Sequence, residues 1–522
     1  MKKKLLPALI VTGLIILVVI IMGITALINK YTPTKKTEDL KEYFNISSDD
    51  EAALIVDNEL SDYKAKIIDK KIYVDYKFVH DSLNSRFYWD ANENVLLYTT
   101  ASDIISAAAD SNSYSVTKQT NDFGYPIVKA TSDSALIALD YVKQYSNITF
   151  KSYDDPARIV ITSKWDEIDS ATVSKSTQVR VKGGIKSPIL KEVKKDDKIT
   201  ILDSGDKWDK VATEDGVIGY IKRKALSESK KTKLTNPDYE EETFTHIKKD
   251  KDICLAWNQV TSQSANSKVP QVISSTKGIN VMSPTWFYLN DNNGNLADIA
   301  SKDYVSYCHS QGIEVWGLFS NFENTDVDAA YVLTHTSTRT TLINQIMSAA
   351  FNYELDGVNI DFENITEAAY GDSYIEFIRE LAIKCHNNGI SLSVDVTVPA
   401  SFNKFFNRSD MANFADYIVI MGYDEHYKGS DAGSVSSIPW VTEGVESTLK
   451  EVPADQIILG MPFYTRIWEL TPKEDDDAVT DTEDQSKYTV ASQVYSMDAA
   501  AAQLATNNAT AALDEESGQN YA

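Results

Sequence analysis

The sequence predicts an α/β protein built on a TIM (β/α)8 barrel that lacks its eighth strand. A transmembrane helix, an α+β domain and a small all-β barrel are predicted to precede it. Three observations carry this prediction: an uncharged apolar run near the N-terminus, short alternating strands over residues 46–228, and alternating strand-like and helical segments from about residue 250. The 522 residues suffice for several domains of ordinary size.

The N-terminus predicts a membrane anchor. Three lysines precede a mostly apolar run over residues 5–28, long enough to cross ~30 Å of hydrocarbon as a helix. No A-x-A pattern follows it, which favours an uncleaved anchor over a signal peptide. The lysines place the N-terminus inside, so the remaining chain is expected outside the cytoplasm. Residues 1–30 are therefore interpreted as the anchor and residues 31–45 as a linker.

Two small domains are predicted between the anchor and the barrel. Residues 46–165 show short alternating runs and a helical stretch near 134–143, typical of an α+β domain. Residues 170–228 hold five short strand candidates with tight turns, among them the hairpin signal Asp215-Gly216. Residues 229–248 are charged and are interpreted as a linker. No residue of the 46–165 domain suggests catalysis.

The barrel, predicted over residues 249–522, rests on seven strand-like segments at 253–259, 279–286, 313–320, 357–362, 390–398, 417–423 and 457–464. Strands that alternate with helices form a parallel sheet. One such helix is predicted at 373–386, with Gly389 just past its end. After residue 464 come an acidic loop at 474–484 and an alanine-rich helix at 497–506, but no eighth strand. We therefore expect a C-terminally truncated piece of a longer gene product.

The composition argues against several classes of partner and cofactor. A net charge of −25 argues against a nucleic-acid partner, which would need a basic patch. The three cysteines, Cys254, Cys308 and Cys385, are too few for a disulfide framework and are predicted to be small buried residues. Six histidines without a tight His/Cys cluster predict no metal site. No cofactor is expected.

The fourth predicted strand carries the chemistry, since residues 355–364 read LDGVNIDFEN. Strand side chains alternate, so Asn359, Asp361 and Glu363 share the face that points into a barrel. Carboxylates ~7 Å apart repel each other, and partial burial raises at least one pKa. A raised pKa lets a glutamate hold a proton near neutral pH and deliver it to a leaving oxygen. Asp356 has the other parity and is expected to be structural.

Three motifs resemble glycoside hydrolase family 18 over roughly residues 245–522. The segment DGVNIDFE at 356–363 is similar to the family's D-x-x-D-x-D-x-E, MGYD at 421–424 to M-x-Y-D, and GMPFYTR at 460–466 to G-x-P-x-Y-x-R. Residues 170–228 resemble bacterial SH3-type domains, which bind peptidoglycan peptides, although a spacer role is equally favoured. Residues 46–165 loosely resemble the stalk-type domain related to the N-terminal domain of copper amine oxidases, and a spacer or wall-binding role is expected.

The family resemblance implies roles for individual residues. Glu363 would be the general acid and then the base. Asp361 would orient the substrate's N-acetyl group and stabilise an oxazolinium intermediate, and Tyr423 would hydrogen-bond that acetamide. The nucleophile would be the substrate's own acetamide oxygen, so the anomeric configuration would be retained. Substrate-binding roles are expected for six further residues: Asn359, Asp424, Met421, Arg466, Trp286 and Trp468.

Asn359 stands where many family members have Asp. With Phe362 it resembles the branch of spore-cortex and cell-wall N-acetylglucosaminidases. The leading expectation is a membrane-anchored N-acetylglucosaminidase that cleaves peptidoglycan at a Gram-positive cell surface and contacts the wall through the SH3-type domain. The alternatives are a chitinase or chitooligosaccharide hydrolase, and an inactive chitinase-like carbohydrate-binding protein. The presence of Glu363 argues against the last.

Overall fold

The computed structural model describes residues 2–363, 365, 370–473 and 485–522, and the chain divides into two compact units. The first unit runs to residue 87 and adds residues 109–112 and 123–241. The second comprises residues 88–108, 113–122 and 242–522. The barrel unit thus takes in part of the segment that the sequence assigns to the 46–165 domain.

One long helix, Lys2–Tyr31, opens the first unit. Residues 9–31 have a mean hydropathy of 2.9 and are exposed throughout. Among the described residues this is the one helix long and apolar enough to cross a membrane. Its length and composition suit a signal sequence equally well, so the anchor stays a prediction.

The rest of the first unit contains two seven-stranded sheets, mostly antiparallel. The order in the first is Thr149–Tyr153, Arg158–Thr162, Glu51–Val56, Glu59–Ile68, Lys71–Asp75, Ala135–Ala138 and Val128–Ala130. The order in the second is Ile189–Val193, Thr177–Arg180, Ile218–Lys222, Trp208–Thr213, Lys198–Asp203, Glu167–Thr172 and Lys230–Lys233. Short helices span Leu40–Tyr43, Tyr76–Phe78 and Leu139–Tyr145.

Two local predictions for this unit can be compared with the structure. Asp215-Gly216 does lie in the hairpin between Trp208–Thr213 and Ile218–Lys222, with Gly216 at a φ of +81° that favours glycine. The helical stretch expected at 134–143 begins instead as the strand Ala135–Ala138, which pairs on both sides, and turns helical only at Leu139. The domain boundaries and both domain resemblances stay predictions.

The second unit is built on a parallel sheet whose seven strands we label β1 to β7. They are Leu255–Asn258, Val281–Leu289, Glu314–Ser320, Gly357–Asp361, Ser391–Thr397, Tyr417–Met421 and Ile457–Gly460. Each pairs in parallel with the next. All seven predicted segments are confirmed as strands. In the described part of the chain, β1 and β7 are the edges of this sheet.

Helices cover the outer face of this sheet. They are Val269–Ser274, Lys302–Ser310, Ala329–Thr334, Thr336–Tyr353, Gly371–His386, Arg408–Phe414 and Ile438–Thr448. Alternate strand residues such as Val358, Ile360, Leu392 and Val394 join helix residues in one buried apolar cluster. The opposite face of each strand is left for the barrel interior.

Two hairpins and a helix follow β7. Tyr464–Pro472 pairs with Tyr488–Ser496, the alanine-rich helix spans Met497–Thr506 as predicted, and Ala512–Asp514 pairs with Gln519–Tyr521. The predicted acidic loop at 474–484 lies outside the described residues. Cys308 and Cys385 are buried as expected, whereas the prediction for Cys254 was wrong: it is exposed, because it precedes the edge strand β1.

A further sheet packs on the barrel helices. Its strands are Phe87–Asp90, Val95–Thr99, Ile104–Ala108, Ser113–Val116 and Gln119–Asp122, and we call residues 88–108 and 113–122 the inserted sheet. The Tyr88 hydroxyl lies 2.9 Å from Ser373 Oγ, and Asp90 Oδ2 accepts from the Thr336 backbone N–H at 2.6 Å. Helix Gly371–His386 is consequently buried along almost its whole length.

Candidate active site

The carboxyl end of β4 carries the predicted acids. Asn359 is fully buried on the inner face of the strand, whereas Val358, Ile360 and Phe362 belong to the outer apolar cluster. The alternation expected from the sequence is therefore confirmed. Asp356, of the other parity, accepts from the Val315 backbone N–H at 2.8 Å and has the structural role expected of it.

The Asn359 side chain connects four strands. Its Oδ1 accepts from Trp257 Nε1 on β1 at 2.9 Å and from Ser283 Oγ on β2 at 3.0 Å. Its Nδ2 donates to Asp395 Oδ1 on β5 at 2.7 Å. These partners settle the orientation of the amide, because its oxygen already faces two donors. The nitrogen must then face Asp395.

Three acidic groups with raised pKa values lie together here. Burial raises the pKa of Asp361 well above its usual range, and the charges of Asp395, Glu363 and Glu323 add to the effect. Burial raises the pKa of Asp395 to about 8, against the opposing hydrogen bond from Asn359. A cluster of carboxyls with perturbed pKa values at the mouth of a barrel marks a candidate site for acid–base chemistry.

Glu363 sits where it can reach a substrate. The residue is exposed beyond the end of β4, and its backbone N–H donates to Asn321 Oδ1 at 3.0 Å, just past β3. Desolvation of its carboxyl raises its pKa, and the charges of Asp424 and Glu323 raise it further. A raised pKa keeps a proton on this side chain closer to neutral pH, as a general acid requires.

The ends of β6 and β7 complete the site. The Tyr423 ring lies 6.2 Å from Trp257 and 6.0 Å from Tyr464, both edge to face. Burial raises the pKa of the Tyr423 hydroxyl, as do the charges of Asp395 and Asp361, so this group stays a neutral donor. Tyr423 is thus close enough to Asp361 and Asp395 for their charges to act on it, and its substrate-binding role stays a prediction.

Asp424 is fixed by the segment after β7. Its Oδ1 accepts from the Tyr464 hydroxyl at 2.7 Å and from Arg466 Nη2 at 2.8 Å. Its backbone has a φ of +60°, a left-handed conformation that non-glycine residues adopt uncommonly and that clusters at functional sites. Met421 ends β6 as a buried residue.

The two tryptophans predicted to bind substrate differ in environment. Trp286 is fully buried in the outer cluster, and its Nε1 donates to Asn266 Oδ1 at 2.8 Å. The prediction for Trp286 was wrong because a bulge in β2, between Thr285 and Phe287, turns two consecutive side chains outward. Trp468 is half-buried on the hairpin after β7, and its Nε1 donates to the Gly433 carbonyl at 3.0 Å.

The sequence reasoning missed Asp395 and Tyr464. A signal for Asp395 existed, since it is a lone acid between Val394 and Val396 of the apolar β5 segment. A strand pattern with a single inward carboxylate is as informative there as in β4. Among the described residues, no group of three or more His, Cys, Asp or Glu side chains has a metal-binding arrangement.

Comparisons with known proteins agree with the motifs of this site. Residues 323–522 match the family model described as glycosyl hydrolases family 18. The chain is 25% identical over 194 residues to "Uncharacterized glycosylase YvbX" of Bacillus subtilis (strain 168), which covers 34% of this chain and 55% of that protein. It is 26% identical over 187 residues to the cortical fragment-lytic enzyme of the same organism, and this match covers 34% of this chain and 43% of that protein.

Solved structures to which the chain is similar include the Bacillus cereus spore cortex-lytic enzyme SleL, at a TM-score of 0.43, 18% identity and coverage of 51% of this chain and 60% of that chain. A chitinase from Chromobacterium violaceum matches at a TM-score of 0.43 and 19% sequence identity. This match covers 51% of this chain and 80% of that chain. The chain spans about half the length, or less, of the two curated relatives. Over residues 323–522 the chain is thus similar to the glycosyl hydrolases of family 18.

Proposed function

We propose that the barrel unit is a retaining glycoside hydrolase that cleaves β-linked N-acetylglucosamine in peptidoglycan by substrate-assisted catalysis. The observation that carries the proposal is the exposed Glu363, with its raised pKa, beside Asp361 and Tyr423 at the carboxyl ends of β4 and β6. Substrate-assisted hydrolysis needs one acid that reaches the glycosidic oxygen, together with neighbouring groups that position and polarise the acetamide. Glu363, with Asp361 and Tyr423 beside it, fits this requirement.

In the first step Glu363 gives its proton to the glycosidic oxygen. As the bond from that oxygen to the anomeric carbon breaks, the substrate's acetamide oxygen attacks the anomeric carbon from the opposite face and forms an oxazolinium ion. Asp361 accepts a hydrogen bond from the acetamide N–H, and the Tyr423 hydroxyl donates to the acetamide. Glu363, now a carboxylate, then takes a proton from water that opens the ring and restores the starting configuration.

The environment of Asp361 supports a nucleophile on the substrate rather than on the protein. Its Oδ1 is shielded from solvent and its pKa is raised well above the usual range. A raised pKa makes a carboxyl a poorer nucleophile, because attack requires the carboxylate and less of that form is present at a given pH. The acetamide oxygen carries no such penalty. Asp361 therefore serves as a positioning and electrostatic group in this mechanism.

Peptidoglycan is the favoured substrate for two reasons. One relative is by its name a cortical fragment-lytic enzyme, and the apolar helix Lys2–Tyr31 would hold the catalytic unit next to the wall. The first unit also has a cavity of about 730 Å³ whose lining includes Tyr43, Tyr220, Leu60, Leu202 and Asp57. We propose that the SH3-type domain, which contributes Leu202 and Tyr220 to this cavity, contacts the wall. Chitin, the alternative substrate that the sequence leaves open, is the second candidate.

The mechanism is tested with Glu363→Gln. We expect release of reducing ends from purified peptidoglycan to fall by about 10²- to 10⁴-fold, with thermal unfolding unchanged. Glu443→Gln, an exposed change on Ile438–Thr448, is the matched control and should keep full activity. Full activity of Glu363→Gln would overturn the assignment. Parallel assays on chitin oligomers separate the two substrates.

The nucleophile is tested on the substrate. Peptidoglycan from which the acetyl groups have been removed chemically should resist cleavage, and re-acetylation should restore it. Cleavage of both forms at equal rates would show that the acetamide oxygen does not attack. This outcome would leave glycosidase activity intact while rejecting the oxazolinium route.

We also propose that Lys2–Tyr31 anchors the protein with the barrel outside the cytoplasm. The full chain should sediment with membranes, withstand alkaline carbonate and be released by detergent. A variant lacking residues 2–31 should stay in the supernatant with the same activity. Loss of the first 31 residues from the mature full chain, seen by mass spectrometry, would instead indicate a signal sequence.

A further inference from the structure

We propose that Asp395 on β5 is the proton partner of Asp361 on β4, and that the two side chains hold one proton between them through the reaction. This inference rests on the proposed glycosidase function and deepens it at the same site. It gives a positioning role to a residue that the strand-four motif does not contain.

The strand register brings the two carboxyls together. In the parallel pair of β4 and β5, Asn359 lies opposite Ser393 and Ile360 lies opposite Val394. Asp361 and Asp395 occupy the next position on each strand. Asp395 faces the barrel interior, since it accepts from the inward Asn359. Neighbouring strands are ~4.8 Å apart, so two inward side chains at one position are in contact range.

The unsatisfied atoms point to the same arrangement. Asp395 Oδ1 accepts from Asn359, but Asp395 Oδ2 and Asp361 Oδ1 are both shielded from solvent and have no hydrogen-bond partner among the described residues. Buried polar atoms are nearly always hydrogen-bonded, so each such pair of orphans needs an explanation. A proton held between these two oxygens satisfies both at once.

The surrounding charges favour one proton over none. The titratable groups that act on the pair are Glu363, Glu323, Tyr423 and Tyr374, from the ends of β4, β3 and β6 and from helix Gly371–His386, and none of them is basic. Two carboxylates in such surroundings would repel each other with little screening, and burial raises the pKa of both. The pair then titrates as one coupled unit.

The shared proton has a use in the reaction. As positive charge develops on the substrate's acetamide, the proton moves from Asp361 to Asp395. Asp361 becomes the carboxylate that faces the developing charge, and Asp395 becomes neutral. The pair carries one negative charge before and after, so Asp361 becomes charged without any net change in the site. The proton returns when water opens the oxazolinium ring.

Asn359 prepares Asp395 for this role. Its oxygen is held by Trp257 and Ser283, so its amide nitrogen is fixed as a donor to Asp395 Oδ1. This leaves Oδ2 as the oxygen that can take the proton. A carboxyl at position 359 would lie on the same inward face, two residues before Asp361, with its oxygens beside position 395.

The test moves the carboxyl from β5 to β4. We compare Asp395→Asn, Asn359→Asp and the double variant Asn359→Asp/Asp395→Asn, with Ser393→Ala, a buried neighbour on the same face of β5, as control. For Asp395→Asn we expect kcat on peptidoglycan to fall about 100-fold with little change in KM. The double variant should recover at least about tenfold of that loss, and its pH profile should return toward the wild-type shape.

A carboxyl that only supports the fold predicts other results. In that case the double variant would be no more active than Asp395→Asn, or Asp395→Asn would keep the wild-type kcat and pH profile. Either result overturns the proposal. Ser393→Ala should remain close to wild type, which shows that the inner face of β5 tolerates a small change.

A second measurement does not depend on activity. Because the pair's pKa is raised, the folded protein binds more protons than the unfolded chain between the ordinary carboxyl pKa and the raised one, so stability falls as pH rises across that range. Asp395→Asn removes one member of the pair, so its Tm relative to wild type should increase from pH 5 to pH 9. A difference in Tm that is constant with pH would overturn the shared proton. The pH dependence of this Tm difference can be interpreted even if the activity of Glu363→Gln rules out the proposed glycosidase function.

Discussion

The Thr99 hydroxyl donates to Glu376 Oε1 at 2.8 Å, and neither residue is exposed to solvent. Thr99 ends a strand of the inserted sheet, and Glu376 lies on the helix that follows β4. The second carboxylate oxygen accepts from Arg379 Nη1 at 3.0 Å. Part of the hydrogen bonding of this buried acid therefore comes from a segment more than 100 residues earlier in the chain.

Replacing Thr99 by valine, of similar shape, should destabilise the barrel unit. The buried carboxylate loses a donor that no water replaces, so we expect a loss of about 1–3 kcal/mol in the free energy of unfolding. Urea unfolding followed by tryptophan fluorescence measures it. Thr120→Val, at an exposed position of the same sheet, should stay within about 0.5 kcal/mol of wild type. Equal effects of the two changes would contradict the role of the buried bond.

Glu323→Gln should move the alkaline limb of the activity profile to lower pH. Glu363 acts as an acid only while it holds its proton, so activity falls as pH rises through its pKa. Desolvation and the charges of Asp424 and Glu323 raise that pKa. Removing the charge of Glu323 lowers it, and the limb follows in the plot of kcat/KM against pH. An unmoved limb would reject this coupling, and Glu443→Gln should leave the limb in place.

Trp286→Phe should change stability and not substrate binding. The indole is fully buried, and its loss leaves Asn266 Oδ1 without its donor, so we expect about 2–3 kcal/mol of destabilisation with KM unchanged. Trp468→Phe, on the half-buried hairpin after β7, should raise KM with little effect on unfolding. The reverse pattern would restore Trp286 to the substrate site.

Gly460→Ala, at the end of β7, should displace the Trp257 side chain of β1 and so disturb its hydrogen bond to Asn359. A Cβ at the end of β7 would lie 2.8 Å from Trp257 Cη2 and 3.1 Å from the Ile420 carbonyl oxygen. The indole must shift, and its Nε1 then leaves Asn359. We expect kcat/KM to fall about 10- to 100-fold. Gly184→Ala, which meets no atom within 4 Å, is the control, and wild-type activity of Gly460→Ala would show that the indole's position is unimportant.

The strands and acids of the barrel were predictable because they depend on local pattern. Apolar runs between helical segments locate all seven strands, and alternation alone places Asn359 and Asp361 on the inner face of β4. The prediction for Trp286 rested on its place in a strand segment and on its aromatic side chain, and neither indicates the bulge in β2 that accompanies its burial in the outer cluster. The lone acid Asp395 in the apolar β5 segment was visible in the sequence, but its place beside Asp361 also required the register of β4 and β5.

The inserted sheet was out of reach for a different reason. Its apolar and polar residues alternate like those of the rest of the 46–165 segment. Nothing in this pattern indicates that the sheet packs on the barrel helices. The barrel helices also contain two buried ion pairs, Arg339 with Glu380 and Arg379 with Asp410. Charged residues on a helix are normally taken for its solvated face, so the sequence indicates the opposite environment.

A catalytic unit assembled from separate stretches of chain responds differently to proteolysis. One cut within residues 229–248 would sever the covalent path to the N-terminal helix, yet the two fragments would still share the inserted sheet and its buried hydrogen bonds. The fragments would stay associated until these contacts unfold. Separation of the barrel from the N-terminal helix would therefore require a second cut or denaturation, so cleavage within residues 229–248 is not sufficient for it.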